Sequence, residues 1–258
     1  MKQVVIVLAS VFGAATIPQS AIAQQRGSPD GWQVSVGAGL VSTPYSLGSK
    51  KQHTIAVPNL DVRYKDWFFA NPIDGVGVQT NLSGLTVSAA IGADMNTRDP
   101  KAGARYANLS KVGAAPAILL RAGYEYGDFT TETIVSSRLG SSNKGGTTLQ
   151  FEESYSLYAA AKTLVNVGVT ARWMDGKFAK NLVSISALDA AQSGLPEYRA
   201  KSGLLDVGVF AQVVYPVTDR WTLFSKLQVN TLEGDAKKSP LVERRTAPTF
   251  LLFGSYTF

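Results

Sequence analysis

The chain has 258 residues and a formal charge of +6, with 45% hydrophobic and 17% charged residues, against about a quarter charged in an ordinary soluble domain. It contains no cysteine and a single histidine, His53. Disulfide frameworks, thiolate metal sites and most histidine-based metal or acid–base schemes are thereby excluded, and no cofactor is expected.

In chain order, residues 1–23 read as a cleaved secretory leader. Lys2 supplies the positive start, Val4 to Ile17 the apolar stretch, and Ala21-Ile22-Ala23 the small-residue cleavage site. The cut falls between Ala23 and Gln24, leaving 24–258 as one mature domain. The apolar stretch is shorter than the ~20 residues of a membrane anchor, and nothing after it is long and apolar enough to be a spanning helix.

The mature chain instead alternates. Trp32, Val34, Val36, Ala38 and Leu40 interleave with Gln33, Ser35, Gly37 and Gly39. Leu85, Val87, Ala89 and Ile91 do so with Thr86, Ser88, Ala90 and Gly92. Val165, Val167, Val169, Ala171 and Trp173 oppose Asn166, Gly168, Thr170 and Arg172. Trp221, Leu223, Leu227 and Val229 oppose Thr222, Lys226, Gln228 and Asn230. A period of two marks strands with one apolar face.

Soluble sandwiches and membrane barrels share that period, so length and aromatic placement must decide. Many runs here approach the ~9–11 residues that a spanning strand needs, beyond the ~5–6 usual in soluble sheets. Three tight turns are flanked by aromatics on both sides: Tyr64-Lys65-Asp66-Trp67, Tyr126-Gly127-Asp128-Phe129, and Tyr215 to Trp221. Tyr and Trp favour the membrane–water interface, because the ring is apolar while its polar atom reaches water. The expected fold is therefore an all-β, antiparallel transmembrane barrel with these turns on the periplasmic side.

With both chain ends periplasmic, an even number of strands separates successive periplasmic turns. The expected strands are 31–41, 53–64, 66–70, 75–82, 85–94, 115–126, 129–139, 148–160, 163–174, 203–216, 219–231 and 247–258, twelve in all. Short connections then fall on the periplasmic side and long ones (41–53, 95–114, 140–147, 175–202, 232–246) outside. Two places leave ten or fourteen strands open. Asn71-Pro72-Ile73-Asp74 reads equally as a bulge or bend, and 178–186 reads equally as strand. On the closing strand, Phe250, Leu252, Gly254, Tyr256 and Phe258 share one face. The ending on Tyr256 and Phe258 resembles the signal by which the barrel-assembly machinery recognises its clients.

Several segments carry a family resemblance. Leu232-Glu233-Gly234-Asp235-Ala236-Lys237-Lys238-Ser239-Pro240-Leu241-Val242 is similar to an L-x-G-D-A-x-x-S-P-[LIV]-V stretch. Ser193-Gly194-Leu195, Tyr198 and Gly203-Leu204 resemble an S-G-L-x-x-Y…G-L segment. Pro44-Tyr45-Ser46, Asp74-Gly75-Val76-Gly77 and Arg98-Asp99 follow the same family order. The family is that of the MltA-interacting protein (MipA) and OmpV. The loop core of Gly234, Asp235, Ala236, Ser239 and Pro240 is its most specific part. Asn181 to Ser186 departs from the family's aromatic Y-F-G-V-[ST] pattern. The resemblance implies a Gram-negative outer-membrane barrel. For some members it implies a scaffold joining a lytic transglycosylase to a penicillin-binding protein, and for others a porin-like or adhesive role.

Chemistry is sparse. His53 lies at the outer end of a strand and reads as a solvated rim residue, the one residue that keeps a surface lipid hydrolase in view. Glu152 and Glu153 are adjacent, so they point to opposite faces of a strand and read as a rim pair. Asp235 reads as a turn former that fixes the last outer loop. Asp61, Arg63, Arg121, Glu125, Arg172, Asp206 and Lys226 are expected to line the lumen, with Asp94, Glu132 and Arg138 beside them. Their mixed signs predict either a mutual ion-pair network filling the lumen or a narrow channel without strong ion selectivity. The charges form no run that would track nucleic acid, and the expected partners are outer-membrane lipid, the assembly machinery and the two peptidoglycan enzymes.

Overall fold

The computed structural model describes residues 31–258 apart from 141–144 and 159–162. The expected cleavage at Ala23 and Gln24 lies outside the described residues. Among those described, twelve antiparallel strands succeed one another: β1 (Trp32–Pro44), β2 (Gln52–Tyr64), β3 (Phe68–Asn71), β4 (Gly75–Leu82), β5 (Leu85–Asp94), β6 (Ala115–Tyr126), β7 (Phe129–Arg138), β8 (Gly146–Tyr158), β9 (Leu164–Met174), β10 (Gly203–Pro216), β11 (Trp221–Leu232) and β12 (Thr246–Thr257). Each pairs with its sequence neighbours, and β1 pairs with β12, which closes the barrel. Twelve, not ten or fourteen, is the count.

The alternation maps onto the two faces of the wall. Val167, Val169 and Trp173 of β9 are exposed on the outside, whereas Asn166, Thr170 and Arg172 between them are buried inside. Ile91, Val209, Leu227 and Phe250 likewise face outward. A monomer in water does not present so continuous an apolar surface, whereas a lipid-facing barrel wall requires it. The helices in the structure are too short to cross a membrane, so strands do the crossing.

The short turns share one end with the outset of β1 and the close of β12. At Ser83-Gly84 both central residues have positive φ (52° and 90°), the hairpin geometry whose twist matches that of its strands. Aromatics ring this end. Trp32 lies 4.8 Å from Tyr64, Phe129 5.0 Å from Tyr155, Trp221 5.3 Å from Tyr256, and Tyr256 5.1 Å from Phe258, centroid to centroid. By the rule that bacterial barrels keep their turns short on the inside, this is the periplasmic girdle.

Two ambiguous segments resolve. Residues 71–74 are the turn of a genuine but short hairpin, β3–β4. Asn71 Oδ1 accepts from the amides of Ile73 (2.9 Å) and Asp74 (2.7 Å), a local bond that stops the strand. Residues 178–186 are not strand. A helical turn at Gly176–Phe178 runs into a wider one at Ala179–Val183, and only Ile185 makes an isolated bridge, to Tyr198. A short helix, α1 (Ala187–Ser193), follows, with Ser186 capping its start and Gly194 (φ 73°) its end.

Candidate functional site

The lumen is layered, and the first layer was not legible as such. At the periplasmic side Leu164, Val214, Phe224 and Phe253 point inward and pack with Val41, Val57 and Leu251. Pairing in register brings them together: Val214 stands opposite both Leu164 and Phe224, and Phe224 opposite Phe253. These strands are apolar on both faces there, so alternation alone gives no warning of an apolar lumen.

Above that layer lies a charged one. Lys226 is 0% exposed, its Nζ 3.5 Å from Glu152 Oε2 and 4.1 Å from the centre of the Phe210 ring. Gln150 Nε2 donates to the other Glu152 oxygen at 2.6 Å. Arg121 bridges Asp74 (2.9 Å) and Glu132 (3.3 Å). Glu132 stands opposite Glu152 across β7 and β8, which joins the two groups into one belt. Asp74 enters this belt from the β3–β4 turn, and sequence reasoning recognised it only as part of a motif. Asp61 pairs with Arg63 at 3.0 Å near the periplasmic end, and Glu125 also faces inward there. Glu152 and Glu153 do point to opposite faces, but mid-strand, not at the rim. Glu153 faces outward, where the hydroxyls of Tyr126 (2.7 Å) and Thr131 donate to it.

A third layer closes the outer lumen. Arg138 donates to Asp94 (2.8 Å) and to the carbonyl oxygens of Asn96 (2.8 Å) and Gly113 (2.6 Å). Arg172 pairs with Asp206, and its Nη1 reaches Asn96 Oδ1 at 3.4 Å. Loop 95–114 is thus drawn down onto the barrel mouth by two buried arginines. Lone buried charges would cost several kcal/mol, and the mutual pairing offsets that cost.

The outer loops then build a cap with its own core. Tyr106, Leu109, Ile185 and Leu241 form one cluster. Phe178, Leu182, Val183, Leu205, Leu232 and Ala236 form a second with Met174. These loops stand in water, so each buried aliphatic side chain contributes about 1.5–3 kcal/mol. Polar pins fix the loops to one another. Buried Arg98 donates to Ser184 O (2.8 Å) and Ser110 O (3.0 Å) and pairs with Asp189 at 3.4 Å. Asp189 accepts from the amide (2.8 Å) and hydroxyl (2.7 Å) of Ser110. Burial opposes ionisation of Asp189, but the Ser110 donors and Arg98 outweigh it and hold the carboxyl below the usual aspartate range. Burial likewise pulls the Arg98 guanidinium down from its ordinary value, with Asp189 opposing.

The motif residues are the joints of this cap. Gly234 (φ 53°) passes so close to Leu204 that a Cβ would sit 2.6 Å from its carbonyl oxygen. Asp235 accepts from the Lys201 amide at 3.0 Å, and that bond holds its carboxyl below the usual range. The Asp235 carbonyl accepts from the Tyr198 hydroxyl at 2.7 Å. Ala236 is buried in the second cluster. Ser239 donates to Val183 O at 2.7 Å, and Pro240 O accepts from Arg105 at 3.0 Å. His53 lies at the outer end of β2, as expected, but is not fully solvated. It is half-buried, and its ring packs on Tyr45 at 4.1 Å with the planes tilted by 37°. Its Nδ1 has no hydrogen-bond partner among the described residues.

The family model described as "MltA-interacting protein MipA" matches residues 36–258. The chain belongs to that family. A search of curated proteins gave no match. Among solved structures this MipA-family barrel is similar to the KdgM porin, at 10% identity and TM-score 0.39, over 88% of this chain and 99% of that one. It is also similar to OmpT, an outer-membrane protein of Vibrio cholerae, at 7% identity and TM-score 0.40, over 90% and 99% of the two chains. A third is an outer-membrane channel from Pseudomonas putida, at 12% identity and TM-score 0.44, over 89% and 96%. Family and architecture together place the MipA-family barrel in a Gram-negative outer membrane.

Proposed function

We propose that this barrel is a non-enzymatic scaffold that gathers peptidoglycan-remodelling enzymes at the inner face of the outer membrane. The observation that carries this is the filled lumen: an apolar layer, an ion-pair belt and a loop cap succeed one another along its axis. With the interior committed to packing, the outer wall and the periplasmic rim are the surfaces left to engage partners. The family is named for interaction with MltA, a lytic transglycosylase, and a penicillin-binding protein is the natural second client. The docking surface is small. It comprises the periplasmic turns, where Lys65, Asp66, Asp128, Asp219 and Arg220 are exposed, together with the aromatic girdle above them.

Cross-linking in intact cells, followed by capture from detergent extracts, tests this reading. Recovery of a transglycosylase or penicillin-binding protein is the expected result, and a clean negative after cross-linking removes the proposal. Planar-bilayer recording supplies the other arm. The pure, folded barrel is expected to stay silent, and steady conductance would favour a solute channel instead.

A further inference from the structure

The outer mouth keeps one open space between the cap and the arginine layer beneath it. A cavity of about 80 Å³ opens where β1, β2, β11 and β12 meet the loops. At roughly 10–15 Å³ per water it holds about six waters, the space of one sugar ring and not of a chain. Tyr45, His53, Asp206, Asn230, Arg244 and Arg245 are among the residues lining it.

The lining has unfilled hydrogen-bonding capacity of a particular kind. Asp206 is 1% exposed, and Arg172 takes only its Oδ2. Asp206 Oδ1 has no hydrogen-bond partner among the described residues, and neither has His53 Nδ1. Directly below, Gln228 gives its Nε2 to Asn230 Oδ1 at 2.9 Å while its own Oε1 is unpartnered. Gln228 and Thr170, whose Oγ1 is also unpartnered, lie behind the lining and not in it. Buried polar atoms are almost always paired. In the cavity wall itself Asp206 Oδ1 is a free acceptor and His53 Nδ1 can accept or donate, so the wall suits a ligand that offers hydroxyl donors.

Charge adds the second requirement. Arg172, Arg244 and Arg245 line the cavity against the single carboxylate of Asp206. Arg244 and Arg245 are exposed at the rim and form no ion pair among the described residues. Guanidinium groups match a carboxylate in paired, charge-assisted hydrogen bonds. The Tyr45 and His53 rings, 4.1 Å apart with their planes inclined at 37°, provide aromatic surface beside them.

We propose that the outer mouth binds a small hydroxylated carboxylate, a single sugar acid, from the cell exterior. Its carboxylate sits on Arg244 and Arg245, a hydroxyl donates to Asp206 Oδ1, and its ring lies against Tyr45 and His53. The site opens on the side opposite the proposed scaffold surface, so either idea stands if the other falls.

Calorimetric titration of the folded barrel in detergent micelles tests it, with glucuronate, glucose and acetate as probes. Glucuronate is expected to bind saturably in the millimolar range, about tenfold or more tighter than glucose, which lacks the charge, or acetate, which lacks the hydroxyls. The double variant Arg244→Gln/Arg245→Gln alters two exposed side chains, and its folding is checked by heat-modifiable gel mobility. It should lose about tenfold in glucuronate affinity while glucose binding is unchanged. Absence of saturable glucuronate binding, equal binding of acetate or glucose, or an unaltered double variant would each overturn the proposal.

Discussion

Replacing Lys226 by Met removes a cation that the structure shuts off from solvent while keeping a side chain of similar length. At the observed 3.5 Å from Glu152, two unit charges attract by about 5 kcal/mol at an effective dielectric of about 20, and by only about 1 kcal/mol in water. The Phe210 ring beneath the ammonium adds on the order of 2 kcal/mol where water is excluded. Burying both ions costs part of this back. The net effect of losing one partner from a dry pair is therefore about 3–5 kcal/mol, chiefly because Glu152 is left in a lumen that has lost its nearest cation. Equilibrium urea unfolding in lipid vesicles, followed by tryptophan fluorescence, measures it. A double change, Lys226→Met with Glu152→Gln, removes both charges and should recover stability to within about 1 kcal/mol of the parent. A single-variant loss below about 1 kcal/mol, with no rescue by the second change, would mean that the belt is bathed in water. The filled-lumen argument, and the scaffold reading built on it, would then fail.

Two further outcomes are expected. Asp189 is held below its unfolded value near 3.9, so its stabilisation of the cap is complete above that pH and is lost as pH falls through the lower folded value. At the Ser110 amide, which donates to Asp189, the hydrogen-exchange protection relative to the intrinsic rate should hold at pH 5 and fall in more acid solution. Asp189→Asn should show faster exchange already at pH 7, and a flat acid profile in the parent would contradict the assignment. Removal of Phe258, whose ring packs on Tyr256 at 5.1 Å, should lower the amount of folded barrel in outer-membrane fractions. It should do so with little effect on the fold of protein refolded in detergent, because Phe258 follows the last residue of β12 and adds one backbone bond, from its amide to Val34 O at 3.1 Å. An equal loss in both settings would make Phe258 a stability residue and not an assembly signal.

The sequence by itself determined the wall. A period of two fixes which side chains share a face, strand length matches the bilayer, and paired aromatics mark where turns meet the interface. Those are local properties, and they placed all twelve strands, including the contested hairpin at 66–82. The motif residues Gly234, Asp235 and Ser239 were visible as a loop, and Asp61, Arg121, Arg172 and Lys226 as inward-facing. What pairs with what was not visible. Asp74 and Arg121 are 47 positions apart in sequence, as the numbering shows, and meet only because β3 stops early and lets its turn reach the lumen. Phe224 and Phe253 point inward from strands that are apolar on both faces, so period two carries no information about them. The cap depended most on tertiary structure. Ile185, Leu241 and Tyr106 come from three loops, and each is an unremarkable apolar residue until closure of the barrel brings the loop ends within reach. Strand faces follow from covalent geometry over neighbouring residues, whereas lumen contents and loop contacts follow from closure, which no local pattern encodes.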